Sequence, residues 1–195
     1  MANIDHKPSK YMLNLLHVLP AFADENKGVV HTIVEVSPGS INKYELITES
    51  GQLKLDRVGY SSLAYPFTYG AIPETWDLDN DPLDIVIANV TEPLVAGSLV
   101  EARVIGGMKF MDEGEVDDKI IAVLAADKRS DHIKTVDELG EYFKTQTKYF
   151  WENYKALKKP GTGKVSEFLD APAALAVVKE SVERYKKDYK PKLEG

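Results

Sequence analysis

The chain has 195 residues, 44% of them apolar and 28% charged, which fits one soluble globular domain over 1–195 that can bury a substantial core. Its net charge of −7 argues against a general nucleic-acid binder, and the absence of cysteine excludes disulfides, thiolate metal sites and thiol nucleophiles while fitting a reducing, cytoplasmic setting. No run approaches the ~20 apolar residues that a membrane-spanning helix needs, so no membrane partner is expected.

At the N-terminus, Lys7 and Lys10 precede Met12-Leu13-Asn14-Leu15-Leu16-His17-Val18-Leu19, and Ala21-Phe22-Ala23 has the small residues of a cleavage site. Asn14, His17 and Pro20 interrupt the apolar run. The segment is therefore expected to pack on the domain rather than to act as a secretory signal. Residues 29–36 are rich in β-branched side chains and end at Ser37-Pro38-Gly39, a strand followed by a turn. Residues 41–47 and 53–58 alternate polar and apolar, as half-buried strands do. Further strands are expected at 83–89, 98–106 and 119–125. Short strands with Gly/Pro turns suggest a small closed barrel or a sandwich.

The last third reads as helical. Thr135-Val136-Asp137-Glu138 has the pattern of a capping box. Leu139, Phe143, Gln146, Phe150, Tyr154 and Leu157 then follow at steps of three and four along one face. Lys158-Lys159-Pro160-Gly161 stops this helix. A second helix starts near Asp170-Ala171-Pro172 with Leu175, Val178, Val182 and Tyr185 as its stripe, and the Lys-rich tail after Tyr185 reads as a solvated helix end. Tyr149, Phe150 and Trp151 are consecutive and cannot all face one core, so one is expected to face a partner subunit.

Two acidic clusters carry the chemistry. Asp77-Leu78-Asp79-Asn80-Asp81-Pro82-Leu83-Asp84 places four carboxylates in eight residues and runs straight into Ile85-Val86-Ile87-Ala88. Clustered carboxylates repel one another and call for a cation; oxygen donors suit Mg²⁺, Mn²⁺ or Ca²⁺. A calcium EF-hand loop is excluded, because Pro82 stands where that loop needs Gly, Ala88 stands where it needs Glu, and a strand follows. The second cluster, Asp112-Glu113-Gly114-Glu115-Val116-Asp117-Asp118-Lys119, joins two expected strands. Lys43 and Glu45 share one strand face, with Lys54 and Arg57 on the next strand. Tyr65, Tyr69, Tyr154 and Lys155 add donors suited to phosphate. Hard cations together with phosphate donors point to phosphoryl transfer to water. There is no Walker A motif, no H-E-x-x-H and no G-x-S-x-G.

Asp79-Asn80-Asp81-Pro82-Leu83-Asp84-Ile85-Val86 resembles the D-x-D-P-x-D signature of the soluble family I inorganic pyrophosphatases. The resemblance extends in order through Glu35, Lys43-Tyr44-Glu45, Asp56-Arg57, Tyr65-Pro66 to Tyr69-Gly70, the 112–119 loop and Tyr154-Lys155, covering roughly 28–160. It implies a mainly β, α+β fold, an OB-like five-stranded closed barrel with two flanking C-terminal helices. It also implies hydrolysis of inorganic diphosphate by a site holding several Mg²⁺ ions, with Mn²⁺ as a substitute and Ca²⁺ as an inhibitor, in a homohexamer built of trimers. By position, Asp79, Asp84 and Asp117 resemble the ligands of the tightest ion, Asp112 and Asp117 those of an ion arriving with substrate, and Glu45, with Glu35 through water, the remaining acidic ligands. Asp81 matches the group that accepts or orients the proton of the attacking water. Lys43, Arg57, Tyr69, Lys119, Tyr154 and Lys155 match the phosphate-binding set, and Tyr65 a tyrosine near it. Pro82 fixes its own φ and is expected to aim Asp81 and Asp84 at shared ions. The alternative is a metal-dependent hydrolase of another phosphate anhydride or ester. Pro160-Gly161-Thr162-Gly163-Lys164 departs from the family pattern, so no phosphate role is carried onto Lys164.

Overall fold

A computed structural model describes residues 13–194. Lys7, Lys10 and Met12 lie outside them. The described chain begins with a helical turn, α1 (Leu15–Val18), whose Asn14 cap accepts from Leu16 N. Leu16 is buried against Ile33 and Ala71, so this part of the N-terminal segment packs on the domain as expected. After β1 (Phe22–Asp24) comes β2 (Val29–Val36), β-branched at every position but His31 and Glu35. A hairpin follows, β3 (Asn42–Leu46) and β4 (Leu53–Val58), then β5 (Thr68–Ala71), β6 (Asp84–Ala88), β7 (Leu99–Asp112), β8 (Glu115–Val116) and β9 (Lys119–Leu124). The chain ends with α2 (Glu141–Asn153), β10 (Gly163–Asp170), α3 (Ala171–Arg184), a π-turn at Tyr185–Tyr189, and α4 (Lys190–Glu194).

Strands β2, β5, β6, β9 and β7 pair in that order, and β7 pairs back to β2, which closes a five-stranded barrel. Closure removes the free edges that an open sheet would expose. The one parallel step in this ring is β6–β9, and both strands are buried on two faces. That is why Ile85-Val86-Ile87-Ala88 and Ile120-Ile121-Ala122-Val123 read as uninterrupted apolar runs. Val86, Ile121 and Val123 pack with Phe150 and Trp151 of α2, whereas Ile85, Ile87, Ile120 and Ala122 pack with Ala174 and Val178 of α3. Gly70 on β5 is required by contact: a Cβ there would lie 2.2 Å from the Ile33 carbonyl oxygen.

The structure corrects several expectations. The expected 98–106 strand continues through Gly106-Gly107 to Asp112, because β10 lies against it with Leu169 opposite Gly107. A Cβ at Gly106 would sit 2.4 Å from the Leu169 carbonyl oxygen. The last third is therefore not purely helical, since it contains β10. The Glu138 carboxylate accepts from Thr135 N at 2.9 Å, half of the expected capping box, but Gly140 (φ 86°) interrupts the chain and α2 starts at Glu141. The second helix starts as read: Asp170 caps α3 through Ala173 N. The Lys-rich tail after Tyr185 is solvated as read, with Lys186, Lys187, Lys190 and Lys192 exposed, but it is anchored by Tyr189, whose ring lies 4.2 Å from that of Trp76.

Candidate active site

The segment between β5 and β6 is pinned at its base by Thr75. This buried hydroxyl donates to Ile72 O (2.6 Å) and accepts from Leu83 N (2.9 Å). Within the loop, Asp77 N donates to Asp81 O at 2.7 Å, Asn80 takes a left-handed φ of 67°, and Asp81 N donates to Asp79 Oδ1 at 3.2 Å. Asp79, Asp81, Pro82 and Asp84 thereby face one pocket. Glu35 of β2, Lys43 and Glu45 of β3, and Asp117 from the segment before β9 complete its wall. Two sequence-distant acidic segments thus converge, as the sequence reading required.

The pocket holds more negative charge than its lysines balance. Glu35, 5% exposed, accepts from Leu46 N and is pushed up to about 8 by burial and then by Asp84. Desolvation, then Asp117 and Asp84, push Asp79 up to about 8. Desolvation on its pocket side, then Asp84 and Glu45, raise Asp81 to about 6. Asp117 is raised by burial against the opposing pull of Lys119. The counter-charges are ammonium groups. Lys43 Nζ donates to Glu45, and Lys119 Nζ donates to both Asp84 and Asp117. Burial alone would lower Lys119, but Asp117 and Asp84 outweigh it and hold the lysine well above its usual range. Among the described residues, no three Asp, Glu or His side chains are yet arranged around one point as an ion would require. Oxygen-only donors that repel one another and hold protons tightly nonetheless suit a hard cation, which relieves the repulsion as protons leave.

A second polar cluster lies at the end of β7. Asp112 Oδ2 accepts from Tyr154 Oη (2.8 Å) and Lys155 Nζ (2.5 Å), while its buried Oδ1 has no hydrogen-bond partner among the described residues. Asp112 is thus held by α2 and the turn after it, and does not line the carboxylate pocket. The Arg57 guanidinium lies 5.8 Å from the Tyr154 ring and pairs with Asp56 at 2.7 Å. Tyr65 is 4% exposed, and its buried hydroxyl also lacks a partner among the described residues. Lys164, on β10, stands opposite Met111 of β7 and belongs to neither cluster.

Three features were not legible. Lys119 is boxed by the rings of Trp151 (5.1 Å), Tyr69 and Phe110 (both 5.7 Å). Asp118, adjacent to Asp117, is buried and pairs with Lys109 instead. Asp77, the first carboxylate of the acidic run, turns away from the pocket onto Arg184. The local sequence carries no sign distinguishing Asp77 from Asp79.

The inorganic pyrophosphatase family model matches residues 32–186. The chain is 43% identical to inorganic pyrophosphatase of Neisseria meningitidis serogroup B over 166 residues, covering 84% of this chain and 93% of the relative. Identity to the Thermus thermophilus inorganic pyrophosphatase is also 43%; its crystal structure superposes with a TM-score of 0.82 over 89% of this chain and 99% of that one. An inorganic pyrophosphatase structure from Neisseria gonorrhoeae, 39% identical, aligns with a TM-score of 0.84 over 89% of this chain and 99% of the other.

Proposed function

The chain belongs to the inorganic pyrophosphatase family and hydrolyses inorganic diphosphate, and on that premise we propose that it does so with several Mg²⁺ ions held by Asp79, Asp84, Asp117, Asp112, Glu45 and Glu35. The observation that carries this reading is the convergence of Glu35, Glu45, Asp79, Asp81, Asp84 and Asp117 on one pocket, in which burial, and then neighbouring carboxylates, push Glu35 and Asp79 up to about 8. When bound, Mg²⁺ supplies neutralisation of the diphosphate charge and a lowered pKa for coordinated water.

The chain's own groups do the rest. Asp81, at the pocket wall, accepts or orients the proton of the attacking water at its carboxylate. Pro82 fixes the backbone between Asp81 and Asp84. Lys43, Arg57, Lys119, Tyr69, Tyr154 and Lys155 bind the phosphates and stabilise charge as the bridging P–O bond breaks, with Tyr65 beside them. Because they are already oriented by their carboxylate and ring partners, they need little reorganisation in the transition state. Lys119 and Lys155 then exchange carboxylate partners for phosphate oxygens.

The decisive experiment compares orthophosphate release from diphosphate, ATP and a simple phosphate ester, each with Mg²⁺, Mn²⁺ or Ca²⁺. Release from diphosphate with Mg²⁺, weaker turnover with Mn²⁺ and inhibition by Ca²⁺ are expected; equal release from all three substrates would overturn the substrate assignment. The proposed setting is cytoplasmic, tested by fractionation; no described helix is long and apolar enough to cross a membrane. The proposed assembly is a homohexamer. Tyr149, the exposed member of the Tyr149-Phe150-Trp151 triplet, supports a subunit contact on α2, and a monomeric mass in solution would exclude it.

A further inference from the structure

Asp77 is a buried carboxylate that the reaction does not use. It is 4% exposed, and its Oδ1 accepts from Arg184 Nη1 at 2.8 Å, while Oδ2 has no hydrogen-bond partner among the described residues. The same Arg184 nitrogen donates to Trp76 O at 2.6 Å, and Trp76 N donates to Ser181 O at 3.0 Å. The last turn of α3 therefore grips two consecutive residues of the acidic loop through backbone and side chain together.

That grip lies at the point from which the loop is built. Asp77 N donates to Asp81 O and Asp77 O accepts from Asn80 N, so the turn presenting Asp79 and Asp81 hangs from Asp77. The region beyond α3 adds to the hold, with the Tyr189 ring tilted against that of Trp76 and His17 hydrogen-bonded to Tyr185 Oη at 2.9 Å. Thr75 fixes the base of the loop, but it does not reach its tip.

We propose that Asp77 and Arg184 are positioning residues, whose buried ion pair transmits the register of α3 to the acidic loop and so sets where Asp79 stands toward its ion and Asp81 toward the attacking water. The inference rests on the Mg²⁺ reading of the site. Partners one step removed from a metal ligand commonly change metal affinity by about 10- to 100-fold when lost.

The test is a calorimetric titration of the full chain with Mg²⁺ alone, alongside steady-state kinetics and the unfolding midpoint. Arg184→Leu is expected to weaken Mg²⁺ binding by about 10-fold or more and to lower kcat. Its KM for diphosphate at saturating Mg²⁺ is expected to stay within about 2-fold, since the phosphate-binding cations are untouched. Arg184→Lys should restore most of the affinity. If Arg184→Leu does not fold, the near-isosteric Asp77→Asn serves, with the same direction and a smaller loss. A fall in unfolding midpoint with Mg²⁺ affinity unchanged in the folded variants would overturn the inference and leave the pair a structural brace. If the unsubstituted protein itself binds no Mg²⁺, the metal reading falls instead, so the two failures are distinct.

Discussion

Asp84 and Lys119 are register partners across the parallel pairing of β6 with β9, and Lys119 Nζ donates to the Asp84 carboxylate. The site is thus written into the sheet: a barrel step that brings the two most apolar strands together also brings an acidic and a basic side chain to their entrance.

Replacing Lys119 with Met leaves Asp84 and Asp117 facing each other without their shared cation. The Lys119 side chain is 1% exposed, so solvent screens little of the loss. Breaking a buried pair costs about 3–5 kcal/mol. Urea denaturation of metal-free Lys119→Met is expected to show a deficit on that scale, shrinking when Mg²⁺ is supplied. Turnover should fall by about 10²- to 10³-fold, as for removal of a preorganised donor. An unchanged denaturation midpoint would show that the ammonium does not hold the carboxylates.

Asp81→Asn keeps the side-chain volume and the loop hydrogen bond made by Asp81 N, which is backbone. The variant should fold and bind Mg²⁺ yet lose about 10²- to 10⁴-fold in kcat, the span of general-base catalysis. Near-normal turnover would remove Asp81 from the proton-transfer role.

The raised carboxyls make metal-free stability depend on pH with a definite sign. Ordinary carboxyls titrate near pH 4, whereas in the fold Asp81 is held at about 6, and Asp79 and Glu35 at about 8. The folded state therefore binds these protons more tightly than the unfolded chain. Their contribution is fully present below about pH 4 and is lost as pH rises toward about 8. Mg²⁺ removes the repulsion that appears as the protons leave. The rise in unfolding midpoint on adding Mg²⁺ should be larger at pH 8 than at pH 5, with protons released on binding. Titration calorimetry in buffers of different ionisation enthalpy measures that release; a midpoint shift independent of pH would contradict the electrostatics.

The parts of this architecture that were most legible are the continuous runs of β-branched and apolar residues. Residues 29–36 and the runs after Asp84 and Lys119 are strands because β-branched side chains buried on both faces leave no polar alternation to read otherwise. β5 was missed because Pro66 and Gly70 look like turn residues, yet Gly70 is small only so that the Ile33 carbonyl can pass. β10 was missed because Lys164, Ser166 and Glu167 break its pattern and its pairing comes from β7, some 60 residues earlier in the chain. In the site, the signature named the residues that meet in the pocket. It could not separate Asp77 from its neighbours, since what turns Asp77 away is Arg184, 107 residues later. Nor could it show that Asp112 is held by Tyr154 and Lys155, apart from the inner pocket.

Trp151 links core packing to the site. It is 2% exposed, contacts the rings of Phe67, Tyr69 and Phe110, and lies beneath the Lys119 ammonium. Its Nε1 has no hydrogen-bond partner among the described residues. Trp151→Phe therefore sacrifices volume and part of the cation–π attraction but no hydrogen bond, whereas Trp151→Ala opens a cavity and removes the ring altogether. The alanine variant should lose about 3–5 kcal/mol of unfolding free energy, and the phenylalanine variant well under half of that. Because the ring face also fixes the ammonium, Trp151→Ala should lower kcat even at temperatures where it remains folded, while Trp151→Phe stays close to the parent. Equal kcat in both variants, measured well below their midpoints, would mean that Trp151 supports only the core and leaves Lys119 to its carboxylates.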